Sequence, residues 1–341
     1  MYAITISLES IIIEYLTTYS SVHFSPIMLS AVSITIAGIL LLLVASYVFK
    51  RAKKIAFLFA KSWKNLILAS LSLSFGIFTW YDSINRIGAS KEVLIAGPLE
   101  IVIIVLLARL FLNERLNRFH FIGIGIALLG FCMAVVSDTN FATHDDDMQR
   151  SITTELSPRP ITKSSPTSWT IISFGDIEAI LSAIGFAGGV IFLTKLTIIS
   201  SSLEVAGASM LTSGLILVGV MVVGVLSYAT DNQVLPSKEI FASGQPLVFS
   251  AVVFLFFSLL PFVGSLSYST GLSRIGASLT STIGASSILM TVMLQLILRE
   301  FGINTHLPEN IFLAIFGGVT GFLGIYVIHI PRYSMPMTKR E

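Results

Sequence analysis

The sequence predicts an all-α integral membrane protein with ten transmembrane helices, arranged as two inverted five-helix repeats. Three observations predict it. Apolar runs of about 20 residues, the length that crosses a bilayer, recur along 341 residues, of which 54% are hydrophobic and only 12% charged. Soluble domains average roughly 25% charged. The block Arg-Ile-Gly-Ala-Ser occurs twice, beginning at Arg86 and Arg274, 188 residues apart, and a tyrosine, Tyr81 or Tyr268, precedes each copy. With five spans in each half, the second half enters the membrane upside down relative to the first, the plan of many secondary transporters.

The first span, near residues 3–22, is the weakest and carries Glu9 and Glu14. It lacks the basic start and small-residue cleavage site of a signal peptide. Aligned with the end of the sixth span through Ser20-Ser21 and Ser201-Ser202, it is short at its start, as a misassigned start codon would leave it. Further spans follow near 26–49, 65–85, 91–112 and 118–137, then near 174–198, 203–228, 246–270, 277–298 and 308–330. The first repeat therefore occupies 1–138, a polar external linker 139–170, the second repeat 171–331, and a short cytoplasmic tail 332–341. The linker is rich in Ser, Thr and Pro and holds His144-Asp145-Asp146-Asp147. Adjacent carboxylates rarely converge on one cation without a folded loop, so it reads as a solvated connector.

Basic residues orient the bundle. With both termini in the cytoplasm, cytoplasmic segments hold twelve Lys and Arg and external segments seven, most of the excess lying in residues 50–64. That bias favours a multi-pass cell-membrane protein with cytoplasmic termini. The net charge of +2 suggests no nucleic-acid partner. One cysteine, Cys132, can form neither an internal disulfide nor a thiolate metal cluster. The five histidines have no metal-ligand spacing, and neither a P-loop nor a nucleophile elbow occurs. No cofactor, metal, catalytic residue or enzymatic activity is expected. The expected partners are a small-molecule solute and the lipid bilayer.

Glu100 stands nine residues after Lys91, at the middle of the fourth span. A carboxylate there costs roughly 2.5–3.5 kcal/mol on insertion scales, so it should face the bundle interior or water. Ala96 and Glu92 share its face, while Lys91 and Arg109 lie on the opposite one. Gly97 and Pro98 just before it, and Pro261 in the eighth span, predict helix kinks that free a carbonyl near Leu94 and admit a ligand or a backbone. Ser287, Thr291 and Gln295 follow Thr280 and Gly284 along one uncharged polar face of the ninth span. Trp80, Tyr81 and Tyr268 fall near helix ends, where aromatics commonly form an interface belt. Glu14 is the acid of the first span deep enough to need explaining. The candidate solute pathway thus comprises Glu100, Glu14, Trp80, Tyr81, Tyr268, Ser287, Thr291 and Gln295. Gly123, Gly130, Gly317, Gly321 and Gly324 permit close helix packing, within the chain or in a homodimer.

Tyr81, Arg86-Ile-Gly-Ala-Ser90, Pro98, Asn113-Glu114-Arg115-Leu116 and Gly123-x6-Gly130 resemble the EamA-type repeat of the drug/metabolite transporter superfamily. The second copy matches through Tyr268, Arg274-Ile-Gly-Ala-Ser278, Arg299-Glu300 and Gly317-x6-Gly324. It departs where Ser286 replaces the expected proline and where Glu300 comes two residues early relative to Glu114. The resemblance implies ten helices and a cavity lined by spans 1, 3, 4, 6, 8 and 9. It also implies export or exchange of small metabolites, amino acids among them. The alternative is a non-transporting membrane sensor or scaffold that keeps the transporter fold.

Overall fold

The computed structural model describes residues 1–20, 24–48, 62–111, 118–137, 173–230, 247–275 and 277–333. The linker at 139–170, Asn113-Glu114-Arg115, Gly276 and the chain beyond Tyr333 lie outside the described residues.

The described residues form helices and no strand. They are α1 (Tyr2–Glu14, continued by a π turn Tyr15–Tyr19), α2 (Pro26–Leu43, continued by a π turn Val44–Val48), α3 (Trp63–Ile87), α4 (Ala89–Phe111) and α5 (Arg118–Val136). After the linker come α6 (Phe174–Thr197), α7 (Ser202–Thr230), α8 (Leu247–Ile275), α9 in two pieces (Ala277–Gly284 and Ser286–Glu300) and α10 (Ile311–Tyr333). Eight of the ten are long and apolar enough to cross a membrane, and α1 and the divided α9 are the exceptions. This is a multi-pass membrane protein.

Local chemistry sets the helix ends. Pro26 starts α2, where its missing N–H costs nothing. Ser173 and Asp176 form a reciprocal capping box at α6. Gly88 alone joins α3 to α4, with φ of 82°, a conformation that a side chain resists. Along the helices, hydroxyls return to their own backbone: Ser7 and Ser10 donate to Ala3 O and Ile6 O, each at 2.9 Å. In lipid such internal satisfaction is needed, because no water is available.

Lipid tails are as apolar as leucine, so close packing of small residues holds the helices together. Along α5 and α10, a Cβ on Gly123 would strike Gly324 O at 2.5 Å, and one on Gly130 would strike Gly317 O at 2.5 Å. That order makes the two helices antiparallel. It also engages these glycines in contacts inside the chain. Along α2 and α7, Gly38 meets Leu211 and Gly214 meets Thr35, again antiparallel. Between α3 and α6, Ser72 Oγ donates to Gly185 O at 2.8 Å and Ser83 Oγ to Gly175 O at 3.0 Å. The helix pairings come in mates when the halves are exchanged: α4–α6 with α1–α9, and α2–α8 with α3–α7.

Pro98 and Pro261 lie inside α4 and α8, which continue on both sides of them. Pro98 packs against Gly321 of α10, whose Cβ, if present, would meet Pro98 Cγ at 2.9 Å. The divided helix is α9, at Ala285, where no proline stands. Ala285 is 188 residues after Gly97, so the division falls at the matching register of the second copy.

Candidate functional site

A cavity of about 170 Å³ lies between the two halves. Helices α1, α3, α4, α6, α8 and α9 line it, with single contributions from Ile34 of α2 and a short stretch of α7. Its polar wall holds three carboxylates: Glu9 of α1 and Glu92 and Glu100 of α4.

Helix geometry explains the pair on α4. Glu92 and Glu100 are eight residues apart, so they share a face about 12 Å apart along the axis. Their surroundings differ. Glu92 is 1% exposed and accepts from Trp80 Nε1 at 3.0 Å and from Ser182 Oγ at 3.3 Å. Glu9 is equally buried and accepts from Tyr81 Oη at 3.0 Å, with Ser33 Oγ 3.5 Å from the same phenol. Among the described residues Glu100 has no hydrogen-bond partner, and it is partly open to the cavity. Tyr2 and Tyr268 stand within electrostatic reach of it. Their rings pack at 4.7 Å, and Tyr268 Oη pairs with Ser281 Oγ at 3.0 Å.

The cavity lining does not reach the other end of the bundle, at Gly88, where Glu14, Tyr15, Leu298 and Thr305 line a separate pocket of about 260 Å³. There Glu14 accepts from Ala89 N at 2.9 Å and also from His306 N and Gln295 Nε2, joining α1, α4, α9 and the segment before α10. Lys91 Nζ meets Asp176 Oδ1 at 2.9 Å with both side chains buried. Arg86 bridges Glu178 at 3.0 Å and Asp82 at 3.1 Å.

The expected pathway residues therefore separate into groups. Glu100, Trp80, Tyr268, Ser287, Gly97 and Pro261 line the cavity. Tyr81 sits behind it, reached through Glu9. Glu14 and Gln295 belong to the Gly88 end. Thr291 is buried on the same face of α9 as Ser287, away from the cavity lining. Trp80, Tyr81 and Tyr268 form no interface belt: each is inside a helix and at most 9% exposed. The sequence reading passed over Glu9, Tyr2 and Ser281. Glu9 was visible as an acid in an apolar run, but hydropathy gives depth in the membrane and not the direction in which a side chain points. Among the described residues, no group of His, Cys, Asp and Glu is placed to hold a metal ion.

The EamA-like transporter family profile matches residues 2–136, so that part of the chain is similar to the family its motifs resemble. No curated protein matches the chain. Eight chains of solved structures do. One, titled "Crystal structure of protein", is 16% identical with a TM-score of 0.55 and aligns over 98% of this chain and 99% of its own. At that identity the two share a fold.

Proposed function

We propose that the protein is a secondary transporter that moves small organic metabolites across the cell membrane by alternating access between two inverted five-helix repeats. The antiparallel pairing of α2 with α7 and of α5 with α10 supports the inverted plan, because each pair joins matching helices of the two halves. The observation that carries the reading is Glu100, a carboxylate within a membrane-spanning helix, facing a cavity and lacking a protein partner among the described residues. An acid in that position is a functional group by default, because only water, a proton or a solute can satisfy it.

In this mechanism Glu100 binds a cationic group or a proton. Trp80, Tyr268 and Ser287 form the walls, and Tyr81 fixes Glu9. Glu14 and Gln295 hold the Gly88 end shut. With both termini in the cytoplasm, the Gly88 end is external and the cavity loads from the cytoplasm, as an exporter or exchanger requires. The division in α9 at Ala285 gives the second half a joint that α4 lacks.

Reconstitution in liposomes with a metabolite panel tests the proposal. Wild-type protein should accumulate or exchange at least one solute, and Glu100→Gln should lose both the flux and its pH dependence. Intact flux in Glu100→Gln, or no flux from correctly folded wild type, overturns it. The second reading, a sensor that keeps the fold, rests on Glu9 and Glu14 making α1 less apolar than the eight candidate spans. Ligand-stabilised melting without flux would support it.

A further inference from the structure

Resting on the transporter reading, the lining of the cavity narrows the solute. We propose that the site selects a small organic amine that carries no carboxylate, with its ammonium at Glu100 and its apolar part against Trp80, Phe186, Tyr2 and Tyr268.

Charge is the first argument. Three carboxylates line the cavity, and none of the described lining residues is Lys, Arg or His. Two of the three already have donors: Glu9 from Tyr81, and Glu92 from Trp80 and Ser182. Glu100 has none among the described residues. An ammonium brings three donors and the compensating charge.

An anionic group on the solute fares differently. Lys91, on the same helix as Glu100, is held by Asp176 at 2.9 Å and does not line the cavity. Among the described residues, two helix starts border the cavity, that of α1 at Tyr2 and that of the second piece of α9; at the division of α9 the backbone stays paired. Ala285 N still donates to Ser281 O at 2.9 Å, and Ile288 N donates to Ala285 O at 3.0 Å. The step therefore tightens the helix and does not bare a run of amides. A carboxylate in this cavity would face Glu100 and find no cationic side chain among the described lining residues, an unfavourable arrangement.

Size is the second argument. A cavity of about 170 Å³ is close to the roughly 150 Å³ that holds a benzene molecule. It is well below the roughly 300–1,000 Å³ of sites for drug-sized ligands. That admits one ring or a short chain and excludes nucleotide sugars and phosphorylated sugars. The aromatic pairs supply the rest: Trp80 and Phe186 meet edge-on with centroids 5.8 Å apart, and Tyr2 and Tyr268 lie at 4.7 Å. Ring faces beside a carboxylate favour an organic cation over a metal ion.

Counterflow in proteoliposomes with three solutes of one skeleton tests this: phenylethylamine, phenylalanine and phenylacetate. Phenylethylamine should exchange at least about tenfold faster than phenylalanine, because the extra carboxylate finds no partner, and phenylacetate should not exchange. Glu100→Gln should lower amine exchange by about tenfold or more. If that variant fails to fold, the wild-type ratio decides alone. Phenylalanine moving as fast as the amine overturns the inference and leaves the transporter reading standing. Flux of other metabolites without the amine does the same. No flux of any solute from folded protein overturns both.

Discussion

The Arg-Ile-Gly-Ala-Ser corner is written twice in this chain, and the two copies are held in opposite ways. At the first, Gly88 turns α3 into α4, and charges surround the turn. Arg86 bridges Asp82 and Glu178, Lys91 is buried against Asp176, and Glu14 takes the Ala89 amide. At the second, Arg274 is exposed, and the contacts among the described residues are those of a phenol with a hydroxyl, Tyr268 with Ser281, and of two tyrosine rings tilted by 42°. A shared motif fixes the course of the backbone; the partners it meets decide how firmly that course is held. Among the described residues, the first corner is held by charged groups, one ion pair of them buried, and the second by neutral contacts.

Breaking the Gly88 end should have the largest effect. Lys91→Met leaves Asp176 buried without its counter-ion, which costs about 3–5 kcal/mol. Unfolding in detergent should show that loss, and Lys91→Met with Asp176→Leu should recover much of it. An unchanged single variant would mean that the pair contributes nothing to closure. Glu14→Gln comes next. The carboxylate holds three donors from three parts of the chain, and an amide oxygen cannot replace it. A loss of about 1.5–3 kcal/mol in closure is expected. A cysteine at Ser90, in a Cys132→Ser background, should then react faster with an impermeant thiol reagent. The smallest effect belongs to the other end. Tyr268→Phe removes one neutral hydrogen bond, worth about 1 kcal/mol, so turnover should change by no more than about fivefold. Abolished transport in Tyr268→Phe would erase the contrast between the two corners.

Much of the fold was legible in the sequence, because span lengths and a repeated block need no knowledge of side-chain direction. The packing glycines of α5 and α10 were legible for a similar reason: small residues at helical spacing mark where backbones can meet. The site was less so. Glu100 was found because an acid at mid-membrane demands a polar neighbour. Glu9 was missed because α1 is short and the aim of a side chain around a helix is set by its neighbours, here Tyr81. Pro98 suggested a kink, but not that it would pack against Gly321 of α10. The real division at Ala285 carries no proline. Its neighbour Ser287 turns its carbonyl to Ser7 Oγ of α1 at 3.1 Å, a contact that no reading of α9 alone reveals.

The central claim is that the face of α4 bearing Glu100 borders a watered passage. Ala96 lines the cavity on that face, so Ala96→Cys in a Cys132→Ser background reports on it directly. An impermeant thiol reagent should label this cysteine from the side on which α4 ends and not from the side on which it begins, and transported solute should slow the labelling. Labelling by lipid-soluble reagents alone would place the face in hydrocarbon and contradict the account.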